Sequence, residues 1–301
     1  MMYGVLFIVL AAVLWALDGI VLTPSLYSLP VALVVFLEHG LAFLFMLPFF
    51  LKEAGELKKL QRADWLAFLW IAIFGGVLGT MLITKALFYV NFVNLSIVVL
   101  IQKLQPVFAL SLAALVLKEK LPKKFFGWAA LAVVATYFVT FDSFVPNFNT
   151  GAKTAMAALL SLGAAFAWGS STVFGKAGLK HASFRIATYL RFGLTAVIMF
   201  FIVAATGSLN SAAFAQVTPQ QWLTFLLIVF TTGGTAIFLY YYGLNKVTAS
   251  VSTIAELAFP LAAILFEFIL HHRGLTWSQW LAVLVLFFAI YQVSKIQQKL
   301  V

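Results

Sequence analysis

The chain has no cysteine, and only 9% of its 301 residues are charged. The first absence rules out a disulfide scaffold and any thiolate chemistry. The second lies far below the roughly 25% charged share of soluble domains, which argues against an ordinary soluble enzyme. No Gly-rich loop ending in Gly-Lys-Ser/Thr is present, so there is no phosphate-driven engine. Four histidines without clustered carboxylates make no metal set, and no cofactor is expected. No Ser, His and Asp combination stands out for nucleophilic catalysis. What is abundant is apolar: 64% hydrophobic and 16% aromatic residues, with a mean hydropathy of +1.07. Disorder is excluded by the same figures.

Apolar runs fall at about 3–22, 30–51, 65–84, 95–117, 125–141, 153–175, 184–206, 222–242, 249–270 and 277–294. Each is near the ~20 residues a membrane helix needs and about twice the length of a barrel strand. The expected fold is therefore an all-α integral membrane protein of ten transmembrane helices. Met1-Met2-Tyr3-Gly4 lacks the basic start of a signal peptide, so the first run should remain as a span. With the N-terminus inside, fourteen Lys and Arg fall on the inner side, three outside and two within spans. That asymmetry orients the protein with both termini cytoplasmic, in a prokaryotic inner membrane. The net charge of +10 is thus a topology signal, and nucleic-acid binding loses its support. The partners expected are the lipid bilayer and a small-molecule substrate, for a monomer or homodimer.

The two halves repeat at a shift of about 153–157 residues. Trp15 matches Trp168, Glu38-His39-Gly40-Leu41 matches Arg191-Phe192-Gly193-Leu194, and Asp64-Trp65-Leu66 matches Gln221-Trp222-Leu223. Gln105-Pro106-Val107 matches Phe259-Pro260-Leu261. The turn-rich stretch 142–151 divides a first repeat, 1–145, from a second, 150–301. Five helices per half make the copies antiparallel, the inverted arrangement of many secondary transporters, with the site near the midplane.

Pro106, the apolar run after it, Glu119 and the Gly127-led next helix resemble the end of an EamA domain. Pro260 and its following helix repeat the pattern. The sequence thus resembles the ten-helix drug/metabolite transporter superfamily, in which such domains occur in tandem. That resemblance implies a cavity between the halves, alternating access, and most often export of amino acids or small metabolites. Two positions depart from it: Glu38 stands where many first copies are basic, and Arg273 occupies the place of Glu119.

A charge at the centre of a span costs about 2.5–3.5 kcal/mol. Asp18, Glu38, Lys103, Arg191, Glu256 and Glu267 would together cost on the order of 10–20 kcal/mol facing lipid, more than a typical domain's net stability. Glu38 and Lys103 lie about 12 Å below one face, Arg191 and Glu256 about 10 Å above the other. These acid–base sets of swapped sign either face the cavity, as ion pairs or as partners of substrate charge, or form buried salt bridges that only fix packing. Glu38 and Glu256 are the candidates for proton coupling. Asp18 shares a face with Trp15 and is read as a cavity group or an interfacial carboxylate.

Acids outnumber bases among the six, which favours a cationic or zwitterionic substrate. Trp15, Trp168 and Tyr242, in the run Tyr240-Tyr241-Tyr242, could face an ammonium group, although such aromatics also gather at membrane interfaces. Uptake of a quaternary or primary amine is the alternative to export. A membrane-embedded lipid-handling protein or enzyme is the rival class. The glycines of Phe74-Gly75-Gly76 and Thr232-Gly233-Gly234 allow close packing or local unwinding.

Overall fold

A computed structural model describes residues 2–89, 98, 101–140, 154–272 and 276–300. The expected division at 142–151, Arg273 and the side chain of Glu267 lie outside the described residues. The described chain is helical, in the order α1 (Met2–Leu17), α2 (Val31–Glu53), α3 (Arg62–Trp70), α4 (Gly79–Tyr89), α5 (Gln105–Val116), α6 (Lys123–Thr140) and α7 (Thr154–Gly178). The second half continues with α8 (Phe184–Ala205), α9 (Ser211–Ala215), α10 (Pro219–Phe230), α11 (Gly234–Lys246), α12 (Ala249–Ala255), α13 (Ala258–His271) and α14 (Trp277–Leu300).

Polar caps fix where the apolar runs begin. Ser183 and Thr248 accept from backbone amides of the first turns of α8 and α12. Reciprocal capping boxes, Gln61 with Asp64 and Thr218 with Gln221, start α3 and α10. Eight helices among the described residues are long and apolar enough to cross a membrane. The shorter α5 and the helix α6 stand where the other two expected spans fall. Outward residues such as Leu281, Leu284 and Phe287 are more than 60% exposed, as a lipid-facing surface requires.

Helix packing follows the repeat. α1 packs on α11 and α13, and its counterpart α7 packs on α4 and α5. α2 packs on its own counterpart α8, and α6 on α14. Interruptions recur too. A two-residue turn at Lys103-Leu104 precedes α5, and one at Glu256-Leu257 separates α12 from α13. Pro106 and Pro260 stand in the first turns after these breaks, where proline is tolerated. Left-handed backbone ends both helices, at Lys118 (φ 56°) and His272 (φ 53°).

The glycine-rich segments differ. In the third span Ile71–Leu78 widens to a π-helix, and added Cβ atoms at Gly75 and Gly76 would collide with Ser171 and Thr195, so the packing is close. In the eighth span Thr231-Thr232-Gly233 is a turn, so the helix is unwound there. The first span is also irregular, with a π turn at Asp18–Leu22 and a tight turn at Thr23–Leu26.

Lys52, Lys118, Lys180, Arg185 and Lys246 mark one end of the bundle, here the basic end. Gly4 touches Lys246, and Lys295 shares a groove with Lys124, so both chain ends lie there.

Candidate functional site

The interrupted helices surround a cavity of about 420 Å³ between the repeats, within the range of sites that enclose drug-sized ligands. Its wall runs from Thr253 and Glu256 in mid-bundle to Tyr27, Leu29 and Val31 at the end opposite the basic one. Trp15, Asp18, Glu38, Lys103, Trp168, Arg191 and Glu256 all border it and are partly buried. Tyr242 does not. It packs on Phe7 (4.7 Å) and Phe184 (5.1 Å) with Lys246 Nζ 4.7 Å from its ring. Helical periodicity turns Tyr240 inward instead, its ring 5.3 Å from that of Trp15.

Of the alternatives open to these charges, the ion pairs Glu38–Lys103 and Arg191–Glu256 are not formed among the described residues. Lys103 Nζ lies 4.8 Å from the centre of the Phe259 ring, and among the described residues it has no carboxylate partner. Arg191 reaches the Gly75 carbonyl at 3.4 Å and stands beside the Tyr241 hydroxyl. The repeat puts Lys103 and Glu256 at equivalent turns, on different walls of the same space. Mirrored depth therefore brought opposite charges into one cavity without bringing them into contact.

Glu256 is held by neutral donors. Gln105 Nε2 donates to Oε2 at 2.9 Å, while Tyr240 (3.0 Å), Ser252 (3.2 Å) and Thr172 (3.3 Å) donate to Oε1. Asp18 accepts from Thr232 at 2.9 Å and Thr23 at 3.1 Å, so it joins the first and eighth spans beside the cavity. His39 bonds the Val35 carbonyl (2.9 Å) but also borders the cavity. Ser171 Oγ, Thr253 Oγ1 and Arg191 Nε have no hydrogen-bond partner among the described residues, an arrangement that suits a polar guest.

Gln105, Thr172, Tyr240 and Ser252 were missed by reasoning from charge. Their signal was helical spacing: Thr172 lies one turn after Trp168, and Ser252 one turn before Glu256. The cavity thus offers aromatic faces (Trp15, Trp168, Phe192, Tyr240, Phe259), neutral donors, and charges of both signs.

Below the cavity, contacts between repeats close the basic end. Glu119 accepts from Ala249 N (2.8 Å), Ser250 N (3.1 Å) and Ser250 Oγ (2.5 Å). His181 Nδ1 lies 3.0 Å from Asp64, and Arg185 Nε 3.0 Å from Glu53.

A protein of known crystal structure shares the fold, with a TM-score of 0.76 at 14% identity over 100% of this chain and 99% of that one. Among characterised sequences, the riboflavin transporter ImpX of Fusobacterium nucleatum is 45% identical over 97% of this chain and 98% of its own length. An uncharacterized transporter of Synechocystis is 28% identical over 78% of this chain and 66% of its own. The EamA-like transporter family matches twice, over residues 2–141 and 155–295. With two such domains covering nearly its whole length, this chain is a multi-pass membrane transporter of the EamA-like family, in the drug/metabolite transporter superfamily, and not an enzyme.

Proposed function

We propose that the chain takes up riboflavin, or a closely similar heteroaromatic polyol, across a bacterial cytoplasmic membrane by alternating access. The observation that carries this reading is the 45% identity to a riboflavin transporter across 97% of the chain. The cavity supports it chemically. A flat tricyclic ring with a carbonyl-bearing edge needs aromatic and apolar walls, supplied by Trp15, Trp168, Phe259 and Pro260. Its carbonyls and hydroxyls need donors and acceptors, supplied by Gln102, Thr80, Thr84 and Arg191.

The basic end is cytoplasmic in this reading, so the cavity faces outward and the contacts of Glu119, Asp64 and Glu53 form the inner closure. The substrate of the relative, rather than the amino acids implied by the family as a whole, is the basis of the assignment. Amines remain the competitors to exclude, because Asp18, Glu38 and Glu256 share the cavity with aromatic rings.

Flavin fluorescence gives a direct test. Purified protein should quench riboflavin saturably, unlabelled riboflavin should compete, and choline and amino acids should not. Expression in a riboflavin auxotroph lacking its own uptake system should restore growth at low external vitamin. Absence of both quenching and growth, or displacement by choline, overturns the proposal.

A further inference from the structure

Glu256 sits at the floor of the cavity, at the turn between α12 and α13, with donors from three spans of the second repeat and one of the first. We propose that Glu256 is the proton-carrying group of the transport cycle, and that Gln105 transmits its charge state to the other repeat. This inference rests on the chain being a carrier but not on which solute it carries.

An ionised carboxylate only accepts hydrogen bonds, and four donors within 3.3 Å satisfy it. A protonated carboxyl must in addition donate. The neighbouring hydroxyls permit that, because Thr172 Oγ1 and Tyr240 OH are 2.8 Å apart with either able to donate. Thr172 Oγ1 can also turn to the Trp168 carbonyl, 3.4 Å away. Both protonation states can thus be hydrogen-bonded without moving a helix. A carboxylate pinned by a lysine or arginine could not cycle in this way, and Glu256 has no such partner among the described residues. Glu38, which borders the same cavity, has no comparable donor set among the described residues.

Gln105 supplies the coupling. It stands on α5 of the first repeat, and its bond to Oε2 is the link from Glu256 to that repeat. Hydrogen bonds to ionised groups are roughly twice as strong as neutral ones, so a proton arriving from the cavity weakens this link. Opening at the basic end then exposes the carboxyl to the other side, where the proton leaves to water and the link re-forms. The titratable group touching Glu256 is Tyr240 on α11. Asp18 and Glu38 face the same cavity from the first and second spans, as do His39 from α2, Lys103 before α5 and Arg191 from α8.

The test uses full-length protein in liposomes. An inward proton gradient should drive solute accumulation of up to about tenfold per pH unit for one proton. E256Q should lose that response while still exchanging solute across the membrane without a gradient. A gradient response that survives in E256Q, or one that follows sodium rather than protons, overturns the inference.

A second measurement needs no substrate. A single cysteine placed at Leu60, at the basic end, reports opening by its reaction with a maleimide. Wild-type labelling should rise on acidification, E256Q should label rapidly at every pH, and Q105L should lose the pH dependence with its carboxylate intact. A flat wild-type profile sinks the proton-carrying role even if riboflavin proves to be the substrate. A pH-dependent profile with no riboflavin binding removes only the substrate assignment.

Discussion

The two ends of the bundle carry contacts between the repeats at equivalent positions, with different chemistry. At the basic end Asp64 caps α3 by accepting from Gln61 N (2.8 Å) and holds His181 of the other repeat. At the opposite end its counterpart Gln221 caps α10, accepting from Thr218 N at 3.0 Å. Gln221 also donates to the Ser25 carbonyl (3.1 Å) and to Ser28 Oγ (3.0 Å), and Ser28 stands where the repeat places His181. One backbone device therefore serves both ends, ionisable at one and neutral at the other. Hydrogen bonds to charged groups contribute about 1.5–3 kcal/mol, neutral ones about 0.5–1.5. Inverted repeats set equal backbone geometry at the two ends, and divergence between the copies makes the contact at the basic end the stronger one.

The largest effect is expected at Glu119, which accepts three bonds across the repeats, two of them from backbone amides of the first turn of α12. Glu119→Ala should weaken this closure by roughly 2–3 kcal/mol. Because the chain has no cysteine, a single cysteine at Thr253 on the cavity floor would label without background. Labelling from the basic side should rise at least tenfold in Glu119→Ala. An unchanged rate would show that the contact is not part of the gate.

A smaller effect belongs to Asp64 and His181. Asp64 is 4% exposed and also caps its helix, whereas the His181 side chain is 42% exposed. Asp64→Ala should therefore cost roughly 1–2 kcal/mol and His181→Ala less than about 1 kcal/mol, with a coupling below 1 kcal/mol in a double-mutant thermal-unfolding cycle. Smaller again is Glu53 with Arg185, whose side chains are 22% and 46% exposed. Arg185→Gln should change unfolding by about 0–1 kcal/mol, and by less as salt is raised. A large, salt-independent loss there would mean that this pair, rather than Glu119, dominates the contact at the basic end.

How much of this was legible in the sequence depended on the range of the interaction. The spans follow from apolar length, a local property, and the repeat was visible in Trp15/Trp168 and Pro106/Pro260. Charge in apolar runs located the cavity, because burying Glu38, Lys103, Arg191 or Glu256 against lipid is costly. Partner choice was not legible. Depth along a helix does not give rotation about it, so the sequence left open whether Lys103 pairs with Glu38, and the fold sets it over Phe259. It also favoured Tyr242 over Tyr240, two residues apart and on different faces. Neutral donors such as Gln105 and Thr172 are inconspicuous in a polar census, and only three-dimensional convergence on Glu256 reveals them.

One end can be transplanted onto the other. Gln221→Asp alone removes the amide that donates to the Ser25 carbonyl and Ser28 Oγ, so it should loosen the end opposite the basic one. Adding Ser28→His recreates the Asp64–His181 pair at the equivalent position. That contact should regain and slightly exceed its native strength, by about 0.5 kcal/mol given the exposed position of Ser28. The cysteine at Thr253 would then label about twofold more slowly from the cavity side than in the parent, since 1.4 kcal/mol corresponds to tenfold. If Ser28→His slows labelling in the Gln221→Asp background but not alone, the two ends are interchangeable devices tuned by one pair of side chains. If it does nothing in either background, Gln221 acts only as a helix cap, and the likeness of the ends is confined to the backbone.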